Sequence, residues 1–121
     1  MDIGELKFFK TQSDFRKWLE KNHKKKKELW LGFYKKTSNK NGITYAEALD
    51  EALCFGWIDG IRKSVDDQSY TNRFTPRKAK SRWSKINTMH VKRLTKAKLM
   101  KPAGIEEVKR AKADGRWDNA Y

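Results

Sequence analysis

Six consecutive residues, Leu29 to Tyr34 (LWLGFY), constrain the fold more than any other part of this 121-residue chain. In an extended segment Leu29, Leu31 and Phe33 fall on one face and Trp30 and Tyr34 on the other, because successive side chains alternate. A strand that is apolar on both faces has to be covered on both, so it belongs inside a sheet rather than at its edge. The rest of the chain is read around that strand. Leu6 to Phe9 forms a short strand before it. Thr11 with Asp14 opens a helix running to about His23, with Phe15, Trp18 and Leu19 on one side. Lys24 to Lys27 and Thr37 to Gly42 are loops.

Thr44 and Glu47 form a second capping box, where hydroxyl and carboxylate each accept a backbone N–H left free at a helix start. That helix ends near Phe55, with Gly56 suited to the left-handed residue that follows. Trp57 to Val65 and Tyr70 to Thr75 are strand runs joined by the polar connector Asp66 to Ser69. From Ser84, an N-cap, the positions Ile86, His90, Leu94 and Ala97 predict an apolar helix face, with Lys85, Lys92 and Lys96 roughly opposite. Pro102 ends that helix, and Ile105, Val108 and Ala111 mark a last one ending at Gly115. The order βαβαββαα predicts one α+β domain over residues 1–121, a mostly antiparallel sheet of about four strands packed with about four helices.

Charge is placed unevenly on this frame. Residues 68–105 hold eleven Lys or Arg and no Asp or Glu, so the formal charge of +14 divides as +3, +11 and 0 along the chain. The densest part, Arg73 to Trp83 (RFTPRKAKSRW), interleaves cations with aromatic rings, a combination that holds anions and stacks on flat groups. On the strand Arg73, Thr75 and Arg77 share one face and Tyr70 and Phe74 the other, while Pro76 stiffens the turn. The candidate anion-binding residues are Arg73, Arg77, Lys78 and Arg82, with Lys63 on the preceding strand. Ser81, Ser84 and Asn87 follow at offsets of three, with the free N–H groups of the helix start beside them. For Ser84 the competing role is capping alone. Trp57, Asp59, Tyr70, Thr75 and Trp83 shape the site, Asp59 as the partner of a nearby arginine and Trp57 and Trp83 as stacking or core residues.

Other chemistries have little support. Cys54, the single cysteine, cannot form an internal disulfide and reads as a buried small residue; its solitude points to a cytoplasmic protein. Two separated histidines give no metal-ligand spacing, and His90 falls on the apolar helix face, so neither a metal nor a cofactor is expected. There is no nucleophile elbow, phosphate loop or dinucleotide fingerprint, and no catalytic residue is assigned. No run of 18 apolar residues is present, and MDIGELKFFK lacks the pattern of a secretory signal.

Several motifs together, GWIDG at 56–60, Tyr70 before RFTPRK at 73–78, SRWS at 81–84, Asn87, MKPAG at 100–104 and DGRW at 114–117, resemble the bacterial YdeI/OmpD-associated family, often labelled bacteriocin-protection proteins. The helix with Trp18 and Leu19 and the strand LWLGFYKK are also similar to that family. Its members usually run on past the segment matching Asp118 to Tyr121 into a further helical region, so a role residing there does not carry over. The resemblance implies a link to surviving bacteriocins or antimicrobial peptides. At +14 the chain repels cationic peptides, so competition for the same anionic lipid, envelope polymer or nucleic acid is the electrostatically sensible form of that link. Three readings result: a non-enzymatic binding protein for an anionic partner, with nucleic acid foremost; an envelope-tolerance factor; and an enzyme acting on a small anion in a pocket of Asp59, Tyr70, Arg73, Arg77 and Asn87. Self-association through Val108, Trp117 and Tyr121 is a further expectation.

Overall fold

A computed structural model describes residues 4–121, so the first three residues of the N-terminal segment lie outside the described residues. The described residues form four strands and four helices in the order β1 (Leu6–Lys7), α1 (Gln12–Asn22), β2 (Leu29–Tyr34), α2 (Tyr45–Cys54), β3 (Trp57–Ser64), β4 (Ser69–Pro76), α3 (Lys85–Lys96), α4 (Pro102–Ala113). The predicted α+β class and element order are those observed. β1 is shorter than the run Leu6 to Phe9.

The sheet order is β1-β2-β4-β3. β1 runs parallel to β2, and β4 lies antiparallel to both β2 and β3. Two helical crossovers therefore leave β1, β2 and β3 pointing the same way, with a gap between β2 and β3 that the β3–β4 hairpin fills. This puts β2 in the interior. Register across β2 and β4 sets Leu29 opposite Phe74, Leu31 opposite Asn72 and Phe33 opposite Tyr70 on the face toward the helices. There Phe15 and Leu19 of α1 and Ala48, Ala52 and Leu53 of α2 close the core around them. A fully buried Leu or Phe stabilises by about 1.5–3 kcal/mol, so this cluster is the main source of stability. On the other face Phe8 lies against Gly32 and stacks on Tyr34 with ring centroids 4.9 Å apart, which supplies the second cover that LWLGFY requires.

Local signals set the helix ends. Thr11 accepts from Asp14 N at 3.1 Å, and Thr44 and Glu47 exchange both bonds of the capping box. Gly56 has φ +75°, and a Cβ there would stand 2.9 Å from the Ala103 carbonyl. Gly104 allows α4 to rest directly on the end of α2, because a Cβ there would run into the Cys54 carbonyl.

One helix phase differs from expectation. In α3 the buried residues are Thr88, Val91 and Leu94, whereas Ile86 is 66% exposed and His90 turns outward, its Nδ1 3.1 Å from Arg93. α3 buries a narrow stripe at offsets of three, so the wider spacing of Ile86, His90 and Ala97 selected the wrong side. The expected apolar patch is also mostly closed: Val108 is buried and Trp117 packs on Trp83, leaving Tyr121 exposed. Among the described residues no helix is long and apolar enough to cross a membrane.

Candidate anion-binding site

Arg77 follows the last residue of β4, and its backbone N–H donates to the Gly56 carbonyl at 2.9 Å, tying the strand end to the turn after α2. This anchor carries the side chain inward. Arg77 is only 8% exposed, and its guanidinium lies 3.8 Å from the centre of the Trp83 ring. Nη2 donates to the Arg82 carbonyl at 2.8 Å, whereas Nε and Nη1 are buried with no partner among the described residues. Loss of water pushes its pKa down to about 10; Glu107 opposes that shift, Arg116 adds to it, and Asp59 opposes it more weakly. Glu107 itself is held by Arg110 at 2.7 Å. Arg77 lines a cavity of about 270 Å³ together with His23, Lys24, Glu106, Glu107 and Arg110.

The surrounding loop is built around the same ring. Trp83 is buried between Arg77 and Trp117, whose ring centroid is 5.1 Å away, and Lys112 lies 5.3 Å from the Trp117 ring centre. Trp83 Nε1 and Ser81 Oγ are, like the two Arg77 nitrogens, buried without partners among the described residues. One short loop thus holds three neighbouring residues with unspent hydrogen-bonding groups, although a buried polar group left unpaired costs about 1–3 kcal/mol. Such a loop is suited to receive an oxyanion, and a guanidinium stacked on indole is fixed in direction as well as charged.

The remaining predicted residues are dispersed. Arg73 points to the opposite face of the sheet, where Glu28 holds it in an ion pair, and it does not converge with Arg77. Thr75 and Lys63 also sit on the face opposite Phe74 and Asn72, because alternation along β3 and β4 places them there. Tyr70 lies at the far end of β4, stacked on Phe33 at 5.4 Å, and roughly 20 Å of strand separates it from Arg77. Trp57 is a core residue, edge-on to Trp18 and donating to the His23 carbonyl at 3.3 Å. Asp59 is half-buried opposite Phe74; burial raises its pKa, against its own backbone N–H and the charges of Arg77 and Arg62. These positions do not assemble the pocket of Asp59, Tyr70, Arg73, Arg77 and Asn87.

The start of α3 is occupied as well. Ser84 accepts from Asn87 N at 3.1 Å, so its hydroxyl serves the cap, and Lys85 N donates to the Tyr121 carbonyl at 2.7 Å. Both N–H groups are therefore withdrawn from any ligand. Lys78, Lys80 and Arg82 are exposed beside Arg77, with Arg82 over the Tyr121 ring at 4.6 Å. The residues that do come together are Arg77, Ser81, Trp83 and, at the rim, Lys78 and Arg82.

Arg116 was missing from the sequence expectation. Its Nη1 donates to the Ser81 carbonyl at 2.7 Å and its Nε to Asp114 at 2.8 Å, which clamps the loop against the chain end. The motif DGRW contained the signal, since an acid two residues before an arginine forms such a local pair. Cys54 is buried, with its thiol pushed up to about 11 by burial and then by Glu51, so it is a poor nucleophile. No group of three or more His, Cys, Asp or Glu able to hold a metal occurs among the described residues.

No curated protein and no solved structure matches this chain. Residues 7–107, which include β2, the hairpin and the Arg77–Trp83 loop, match the profile of a domain of unknown function, DUF8412. The chain belongs to the DUF8412 family.

Proposed function

We propose that this chain is a small, non-enzymatic binding protein that takes an anionic, phosphate-bearing partner at the Arg77–Trp83 loop, with nucleic acid the foremost candidate. The observation that carries this reading is the guanidinium of Arg77, buried on an indole ring with two nitrogens unpaired and no carboxylate at ion-pair distance among the described residues. A buried charge held this way is costly until an opposite charge reaches it. Of the eleven cations between residues 68 and 105, Arg73 and Arg93 are the two with a carboxylate partner among the described residues, and Lys78, Lys80 and Arg82 stand unpaired next to Arg77 along the loop. Exposed Lys78, Lys80 and Arg82 would take neighbouring phosphates, while Arg77 fixes one of them.

The resemblance to the YdeI/OmpD-associated family adds a physiological proposal, tolerance of cationic peptides through competition for anionic targets in the cytoplasm or at the envelope. Unchanged peptide sensitivity in a deletion strain would remove it.

Fluorescence anisotropy with labelled DNA and RNA across a salt series tests the main reading. Affinity should fall with a slope of about −0.9 per phosphate neutralised on duplex DNA. Arg77→Lys keeps the charge and loses the planar fork, so it should weaken binding by on the order of tenfold, whereas Lys92→Ala should cost about half that or less. Equal effects of the two substitutions would make the loop irrelevant and leave only diffuse attraction.

A further inference from the structure

A cavity of about 550 Å³ lies away from Arg77, between the end of β2, the loop of residues 35–44 and the start of α2. Its walls carry Tyr34, Tyr45 and Tyr70, and its rim carries Lys35, Lys36 and Lys40. No Asp or Glu lines it among the described residues. A volume in this range suits a small ligand. The three tyrosine hydroxyls make no hydrogen bond among the described residues, so their polar ends are unspent. The rings are held from behind: Tyr70 stacks on Phe33 at 5.4 Å, Tyr45 packs edge-on to Phe33 at 5.8 Å, and Tyr34 stacks on Phe8. Arg62 lies over both Tyr70 (4.4 Å) and Tyr45 (5.4 Å), so Tyr70, stacked on Phe33 on its other side, offers the cleft its edge and hydroxyl. Lys40 already sits 5.6 Å from the Tyr34 ring centre.

No ion pair closes the rim among the described residues. None of Lys35, Lys36 and Lys40 has a carboxylate within ion-pair distance among the described residues. Of the acids near the loop, Asp66 accepts from Gln68 N and Ser69 Oγ, both at 2.8 Å, and is held below the usual carboxylate range by these bonds and more weakly by Lys40, while Glu47 accepts from Thr44 N at 3.0 Å. Gly42 lets the loop lie flat on the sheet end, because a Cβ there would come within 3.1 Å of the Phe9 carbonyl and 3.4 Å of the Tyr34 ring.

We propose that this cleft is a second ligand site, separate from the Arg77 loop, for a nucleoside monophosphate unit, free or at the end of a strand. The amines of Lys35, Lys36 and Lys40 take the phosphate, and the base stacks on Tyr34, whose ring Lys40 leaves for the phosphate, since aromatic faces stack on any base and amines hold phosphate oxygens. An acidic peptide would satisfy the lysines and leave the flat face of Tyr34 without a partner of matching shape.

Nitrogen-15 chemical-shift titration of the full chain with adenosine monophosphate, adenosine and inorganic phosphate tests this. Adenosine monophosphate should move amide signals clustered at residues 34–45 and 69–71, and should bind at least about tenfold tighter than either fragment, because only it engages both walls and lysines. Lys35→Ala with Lys40→Ala, both at exposed loop positions, should lose on the order of tenfold in affinity, while Arg77→Lys leaves this affinity unchanged. A double lysine variant that binds as tightly as the parent overturns the proposal. So does inorganic phosphate binding as tightly as the nucleotide, or the absence of clustered shifts at millimolar nucleotide. Loss of binding in Arg77→Lys alone would assign the nucleotide to the Arg77 loop instead. A 5′-phosphorylated dinucleotide that moves the same signals identifies a strand end as the source, and one that does not confines the site to free nucleotide.

Discussion

Arg77 and Cys54 are both buried ionisable residues, and their surroundings give them opposite fates. Arg77 keeps its charge at neutral pH, because even after burial its pKa stands at about 10, and two of its nitrogens wait unpaired in a loop beside a cavity. Cys54 is held neutral by burial, with its thiol at about 11 against an ordinary 9.0. Between those two values the unfolded chain has released the thiol proton and the folded chain still holds it. Stability should therefore fall as pH rises from about 9 to about 11, with this contribution fully present below 9. Urea unfolding at pH 8 and pH 10.5 should show that loss in the parent, and a smaller one in Cys54→Ala. Identical losses would mean that lysines and tyrosines, not Cys54, govern the alkaline limit. The sequence made the inert cysteine legible, since Leu53 and Phe55 flank it. It could not show that Arg73 and Arg77 part company, because that depends on Glu28 reaching Arg73 across β2 and β4.

Helix and strand ends were the most legible elements, for capping is a short-range matter in which Thr44 and Glu47 or Ser84 act within one turn. The end of α3 holds an exception. Lys98 has φ +61°, a left-handed position where a side chain crowds its own backbone. Lys98→Gly should stabilise the chain by about 1 kcal/mol, read as a higher urea midpoint with unchanged slope. Gly104 sets the opposite case. Gly104→Ala favours helix locally, yet the added methyl meets the Cys54 carbonyl, so the variant should be destabilised by about 1–3 kcal/mol. A gain in stability would show that α4 does not rest on the end of α2 at this distance. The buried stripe of α3 is hidden in the sequence for a related reason: the periodicity of Ile86, His90, Leu94 and Ala97 is genuine, and only packing against α2 decides that Thr88, Val91 and Leu94 face inward.

At the scale of the whole molecule, a formal charge of +14 on 121 residues sets up self-repulsion that salt screens. The thermal midpoint should rise by a few degrees between about 20 mM and 300 mM sodium chloride, read by circular dichroism. A midpoint that does not move would mean that surface charges are already balanced by local pairs. By itself the sequence determined the α+β class, the interior place of LWLGFY, most element boundaries and the concentration of positive charge, because each rests on alternation, helical period, capping or counting. Only the tertiary structure decided which cations meet. It sent Arg73 to one face and Arg77 into a loop closed by Arg116, and it raised tyrosines from three separate elements into one cleft. Residues distant in sequence are brought together by sheet order and helix packing, and no short-range pattern records that arrangement.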